Sequence, residues 1–145
     1  MRPARGQRGA VALELALTLA FLFPVMALLL FYGRLLYNYE VAQKAAHDAT
    51  RYLASASRVN LGSTSAVAYE LAVAQAIVQA EVSVLSPSAL SVTILCDNVQ
   101  CSGLDVPDTV SVGVQIRVRN TLPGYAPKLT DRVFIATQSM HYVGN

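Results

Sequence analysis

Apolar and polar positions alternate with three different rhythms along this chain. From Ala10 to Gly33, "AVALELALTLAFLFPVMALLLFYG", apolar residues run almost unbroken, and Glu14 is the only carboxylate among them. In a helix these residues rise about 36 Å, enough for a hydrocarbon layer of about 30 Å, so the run predicts a membrane-spanning helix. After Arg34 the rhythm turns helical. Tyr37, Val41, Ala45, Ala49, Tyr52 and Ala56 form an apolar stripe, and Glu40, Lys44, His47, Arg51 and Ser55 line the opposite side. One helix is therefore expected from Ala10 to about Ala56, roughly 70 Å long, with Glu40 and Lys44 paired at i,i+4.

"SRVNLGSTS", residues 57–65, is a turn signal in which Gly62 closes one helical region and Ser63, Thr64 or Ser65 caps the next. Residues 66–82, "AVAYELAVAQAIVQAEV", predict a second helix. Only Glu70, Gln75, Gln79 and Glu81 are strongly polar in it, so it is expected to be covered on more than one side, by the first helix and a sheet or by another subunit. From Leu90 the period becomes two. Leu90, Val92 and Ile94 alternate with Ser91, Thr93 and Leu95. Val110, Val112, Val114, Ile116 and Val118 alternate with Ser111, Gly113, Gln115, Arg117 and Arg119. "TLPGYAPKL", with Pro123, Gly124 and Pro127, predicts a loop, and residues 132–143 a third strand. Two helices followed by three strands give an α+β fold: a long N-terminal transmembrane helix continuing into an extracytoplasmic helix, a second helix, then a small antiparallel sheet.

The expected organisation is a basic leader at 1–9, a transmembrane helix at 10–33 and an extracytoplasmic α+β domain at 34–145. Within that domain 34–62 is helix extension and turn, 63–82 the second helix and 89–145 the β-rich part. Pro24 sits mid-span, where it frees the carbonyl of Ala20 and predicts a kink. Proline is also tolerated in membrane helices, so a built-in bend and a neutral occupant both stay open.

Composition supports a membrane segment: 54% of the 145 residues are hydrophobic and 14% charged, an unusual balance for a freely soluble chain. Arg2, Arg5 and Arg8 precede the apolar run and Arg34 follows it, which places the N-terminus in the cytoplasm. From Arg34 onward eight basic residues face eight acidic ones, so the net charge of +2 belongs to the leader. A neutral exported part has no basic face for phosphates, and nucleic acid is not an expected partner.

The apolar segment admits three readings. A secretory signal peptide would be shorter and followed by a small-residue cleavage site, whereas "FYGRLLYNYE" follows here. An unprocessed bitopic anchor, presenting an extracytoplasmic binding module, leaves Glu14 unexplained. A charge at the centre of a span costs about 3 kcal/mol, less near an end. The third reading rests on "RGQRG", which ends in Gly9, and on Glu14, the fifth residue counted from Ala10.

That arrangement resembles the class III signal of type IV pilin-like proteins, in which a prepilin peptidase cuts after the glycine, here between Gly9 and Ala10, and leaves the apolar helix attached. The resemblance implies that Glu14 meets the new amine of a neighbouring subunit during assembly. Major Flp pilins have Tyr after the Glu and are much shorter, whereas Leu15 stands here. The chain is more similar to a TadE-like minor pilin, or pseudopilin, of the Tad (Flp) pilus system: arginine-rich leader, "GAVALELAL", a long apolar helix with a proline, then "AAHDATRYLA", similar to A-x-x-x-A-R-x-A. The likeness covers residues 1 to about 56. It implies a single-pass protein of the bacterial inner membrane whose C-terminal domain is periplasmic or extracellular, with a role in pilus assembly and adherence. The implied partners are the prepilin peptidase, other minor pilins, the Flp pilin, the inner-membrane assembly platform and the lipid bilayer.

Cys96 and Cys101 enclose "DNVQ" after the first predicted strand. In an oxidising compartment the pair reads as a disulfide clasping a loop. The metal alternative has to recruit His47 or His141 from far away in sequence, and free thiols are the third possibility. His47 lies on the polar helix face and reads as a solvated residue. Asp97, Asp105 and Asp108 match no known calcium loop and read as a solvated acidic loop. No G-x-S-x-G elbow, no H-E-x-x-H, no phosphate-cradling glycine loop and no Cys/His nucleophile arrangement is present, so neither an enzyme nor a cofactor is expected.

Overall fold

A computed structural model describes residues 7–118 and 132–144. The predicted loop "TLPGYAPKL", together with Arg2, Arg5 and Arg119, lies outside the described residues. The chain divides into two units, Met1–Leu36 and Tyr37–Asn145, and one helix, α1 (Gln7–Ala54), enters both.

In the first unit every residue from Gly9 to Leu30 is exposed. A helix apolar all round needs an apolar surrounding rather than water, and this one is long and apolar enough to cross a membrane. The backbone stays helical through Pro24. Thr18 donates its hydroxyl to the Leu15 carbonyl at 2.8 Å, so even this polar side chain is satisfied within the helix.

The second unit is a two-layer α+β head. Its part of α1 buries Ala42, Ala45, Ala46, Ala49, Leu53 and Ala54. The predicted stripe is therefore rotated: Ala45, Ala49 and Ala56 are buried as expected, whereas Tyr37 is exposed. An amphipathic tyrosine keeps its hydroxyl wet, and the alanines either side of the stripe take the buried positions. Glu40 and Lys44 do not pair; Lys44 turns to Glu81 at 2.7 Å and to Asp48 at 3.8 Å.

A short helix, α2 (Arg58–Leu61), fills the predicted turn. Gly62 closes it, donating its N–H to the carbonyl of Arg58 at 3.0 Å, while Ser63 gives its N–H to that of Asn60. The second long helix, α3 (Val67–Val82), ends in a 3₁₀ turn at Ser83–Leu85. Its N-cap is Ala66, with no side-chain cap. The serines expected to cap it bond otherwise: the Ser63 carbonyl accepts the N–H of Ala66 and Val67, and the Ser63 and Ser65 hydroxyls pair at 3.0 Å. Within the head α3 buries one face, Val67, Glu70, Ala74, Val78 and Val82. Ala68, Ala72, Ala76 and Ala80 are exposed, each adding only a methyl group, so the helix reads more apolar than the surface it presents.

Four strands follow rather than three: β1 (Ala89–Cys96), β2 (Val99–Gln100), β3 (Thr109–Val118) and β4 (Arg132–His141). They form one antiparallel sheet in the order β2-β1-β3-β4. β3 is central, pairing Thr93 with Gly113 on one side and Gly113 with Thr137 on the other. Its valines and Ile116 point inward as their alternation predicts. They pack with Ile94, Ala136, the α1 alanines and Ala74, Val78 and Val82 of α3. A smaller cluster joins Ala56, Leu61 and Val67 to Leu71, Cys101 and Tyr142.

Candidate functional site

The residues predicted for processing and assembly lie in the first unit. Gly9 and Ala10 belong to the first turns of α1, which begins three residues before the predicted start at Ala10. A Cβ placed on Gly9 meets no atom within 4 Å, so nothing in the chain's own packing requires glycine there. Glu14 is one helical turn beyond Ala10 and is exposed between Leu13, 74% exposed, and Leu15, 59% exposed. It makes no hydrogen bond or ion pair with another described residue. What this surface offers is one carboxylate on an otherwise apolar cylinder, a charge that an apolar environment tolerates only beside a cation or near an interface.

The predicted cysteine pair is brought together: Cys96 and Cys101 form a disulfide, with an S–S distance of 2.03 Å and a Cα–Cα distance of 5.0 Å. The loop between them is a hairpin. Asp97 and Asn98 take φ of 51° and 66°, and Cys96 pairs with Val99 across the turn. Two left-handed residues in a row are the geometry of a type I′ turn, in which Asp and Asn are tolerated. The acidic residues of this region act on the backbone. Asp97 accepts the N–H of Thr109 at 2.8 Å through one carboxylate oxygen and of Asp108 at 3.1 Å through the other. Gly103, at φ 72°, packs against Ser63 and Thr64 so closely that a Cβ would sit 2.7 Å from the Ser63 carbonyl. The disulfide and the Asp97 carboxylate close the 97–108 loop on itself and on β3, and Gly103 seats it against Ser63 and Thr64.

Sequence reasoning missed one polar centre, Glu70 on the buried face of α3. Tyr52 of α1 donates its hydroxyl to one carboxylate oxygen at 2.6 Å, and Asn60 of α2 donates its amide to the other at 2.6 Å. The hydrogen bond to Glu70, reinforced by burial, pushes the Tyr52 phenol up to about 12. The one trace in the sequence is that Glu70 lies at i,i+4 steps from Ala66 and Ala74, on the face that α3 buries. Tyr142 donates its hydroxyl to the Ala56 carbonyl at 2.8 Å, and burial raises its pKa against the opposing charge of Arg58.

The histidines stay apart. His47 is exposed beside Asp48, at 3.3 Å, and His141 faces the Asp108 carbonyl at 3.2 Å. Among the described residues no three His, Cys, Asp or Glu side chains converge as a metal site would require.

Residues 9–51 match the family model described as TadE-like protein. The match begins at Gly9, spans the apolar run with Glu14, and ends in the alanine-rich part of α1, so the resemblance is borne out over residues 9–51, which hold Gly9, Glu14 and most of "AAHDATRYLA". No curated protein and no solved structure matches the chain.

Proposed function

We infer that this TadE-like, Tad pilus-associated chain is a minor pilin or pseudopilin, processed by a prepilin peptidase between Gly9 and Ala10. It takes part in assembling a Tad (Flp) pilus that supports adherence. The observation that carries the reading is the family match from Gly9 across an apolar span, residues 10–33, whose only carboxylate, Glu14, lies one turn from Ala10 on an exposed apolar surface. Cutting there removes Arg2, Arg5 and Arg8 and creates an α-amino cation at Ala10. An amine and a carboxylate four residues apart along one helix can pair between neighbouring subunits, and that pair sets their axial register. The head stands on the periplasmic or extracellular side, while α1 supplies lateral packing against the Flp pilin, other minor pilins and the assembly platform of the inner membrane.

The mature N-terminus tests this. Mass spectrometry of the membrane-extracted protein is expected to find a chain beginning at Ala10. Gly9→Leu, for which the helix has free space, is expected to leave the full-length precursor in the membrane. A mature chain beginning at Met1 or Arg2 would instead support the unprocessed bitopic anchor, and normal cutting of Gly9→Leu would remove the assigned site.

A further inference from the structure

The sheet of the head has two open edges. β2 covers β1 only at Leu95 and Cys96, and β4 is the last strand on the other side among the described residues. In an antiparallel ladder successive residues direct their backbone groups alternately to one neighbour and the other. Asp97 gives its N–H to the Thr109 carbonyl, which fixes the phase on one side. Odd-numbered residues of β1 bond to β3, and Leu90, Val92 and Ile94 turn N–H and C=O outward. On the other side Tyr142 gives its N–H to Asp108, so Val133, Ile135, Thr137 and Ser139 turn theirs outward.

Exposed edges are normally defended by charge, proline, a bulge or short length. Neither Ala89–Cys96 nor Val133–Met140 contains a charged residue or a proline. β1 and β4 run in the same direction, because each is antiparallel to β3. A second copy with the same orientation therefore presents its β1 to β4 as a parallel neighbour. β2 confines that ladder to Leu90–Ile94, and the stretch of β4 at the same level is Phe134–Gln138, since Leu90 and Phe134 both pair with Ile116, and Ile94 and Gln138 both pair with Val112. On the outer face that stretch carries Ile135, 63% exposed, and Val133, 41% exposed, lies just before it.

We propose that β4 of one copy of this chain pairs with β1 of the next, extending the sheet from head to head as a parallel ladder at Leu90–Ile94. The two partners use different surfaces, so the contact is heterologous and repeats along a row of like-oriented copies. The proposal rests on those copies sharing one membrane orientation, as the pilin reading has them.

Disulfide trapping in membranes tests it. Thr93→Cys and Thr137→Cys, both at exposed outer-face positions and level with each other because each pairs with Gly113, are placed on separate copies of different size and co-expressed. Within one copy these positions lie two strand spacings apart, about 9.6 Å, beyond the roughly 7 Å that a disulfide spans, so a dimer is necessarily intermolecular. The expected product is the mixed dimer, lost when the Thr137→Cys copy also carries Ile135→Lys, which changes only an exposed edge side chain. Same-variant dimers alone, or no dimers, overturn the pairing, as does a mixed dimer indifferent to Ile135→Lys. Carbonate extraction of the same membranes separates the two readings. Protein released by carbonate overturns both, whereas retained protein without the mixed dimer overturns only the strand pairing.

Discussion

Glu70 shows what a buried carboxylate demands. With 5% of its surface exposed, it has no water to satisfy it, and its donors come from Tyr52 and Asn60, which ties α1, α2 and α3 together through one side chain. A hydrogen bond to a charged acceptor contributes about 1.5–3 kcal/mol, so Tyr52→Phe is expected to lose that much, read as a lower urea midpoint of the full chain in detergent at neutral pH. The pH dependence follows from the raised phenol. The uncharged hydroxyl is the donor and its folded pKa lies near 12, above the ordinary 10. The contribution is complete below pH 10 and disappears as pH rises through 12. Wild type should therefore lose more stability than Tyr52→Phe between pH 10 and 12; parallel curves would contradict the assignment. The sequence concealed this centre because one glutamate in a helix pattern is indistinguishable from a surface residue until its partners, 18 and 10 residues away, are seen to converge.

Elements differ in how clearly their environment marks them. β3 was readable, because one face is buried along its whole length and valine or isoleucine stands at every second residue from Val110 to Val118. β2 was not, since two residues cannot display a period, and the Asp97–Asn98 turn lacks the glycine that usually signals such a hairpin. Rotation of the α1 stripe has the same origin: alanines contribute little to an amphipathic pattern, yet Ala42, Ala45, Ala46 and Ala49 are all fully buried. The hairpin yields its own prediction. In the chain-entropy account a disulfide spanning five positions stabilises by about 2 kcal/mol, so Cys96→Ser with Cys101→Ser should lower head stability by that amount, measured by urea titration. Because Asp97 and Gly103 hold the same loop independently, the variant is expected to stay folded; outright unfolding would show that the disulfide alone holds the loop.

At the scale of the molecule, the family likeness of the N-terminal segment was legible and the head's contacts were not. A leader glycine and a carboxylate at fixed spacing are local features that a linear chain displays, whereas the sheet edges exist only after residues far apart in sequence have paired. Glu14→Ala is expected to leave membrane insertion intact, since it makes the span more apolar, while reducing surface pilus yield on immunoblots of sheared cells; undiminished piliation would remove its register role. The central place of β3 has a further effect, on timing. Residues 110–118 form the most deeply buried strand, yet one flank stays bare until residues 132–141 have been delivered. At the usual 5–20 residues per second of synthesis this interval is roughly 1–5 s. For those seconds a newly made chain carries an unpaired valine ladder whose one charge is Arg117, which makes the nascent head a client for holding chaperones before it is a partner for anything else.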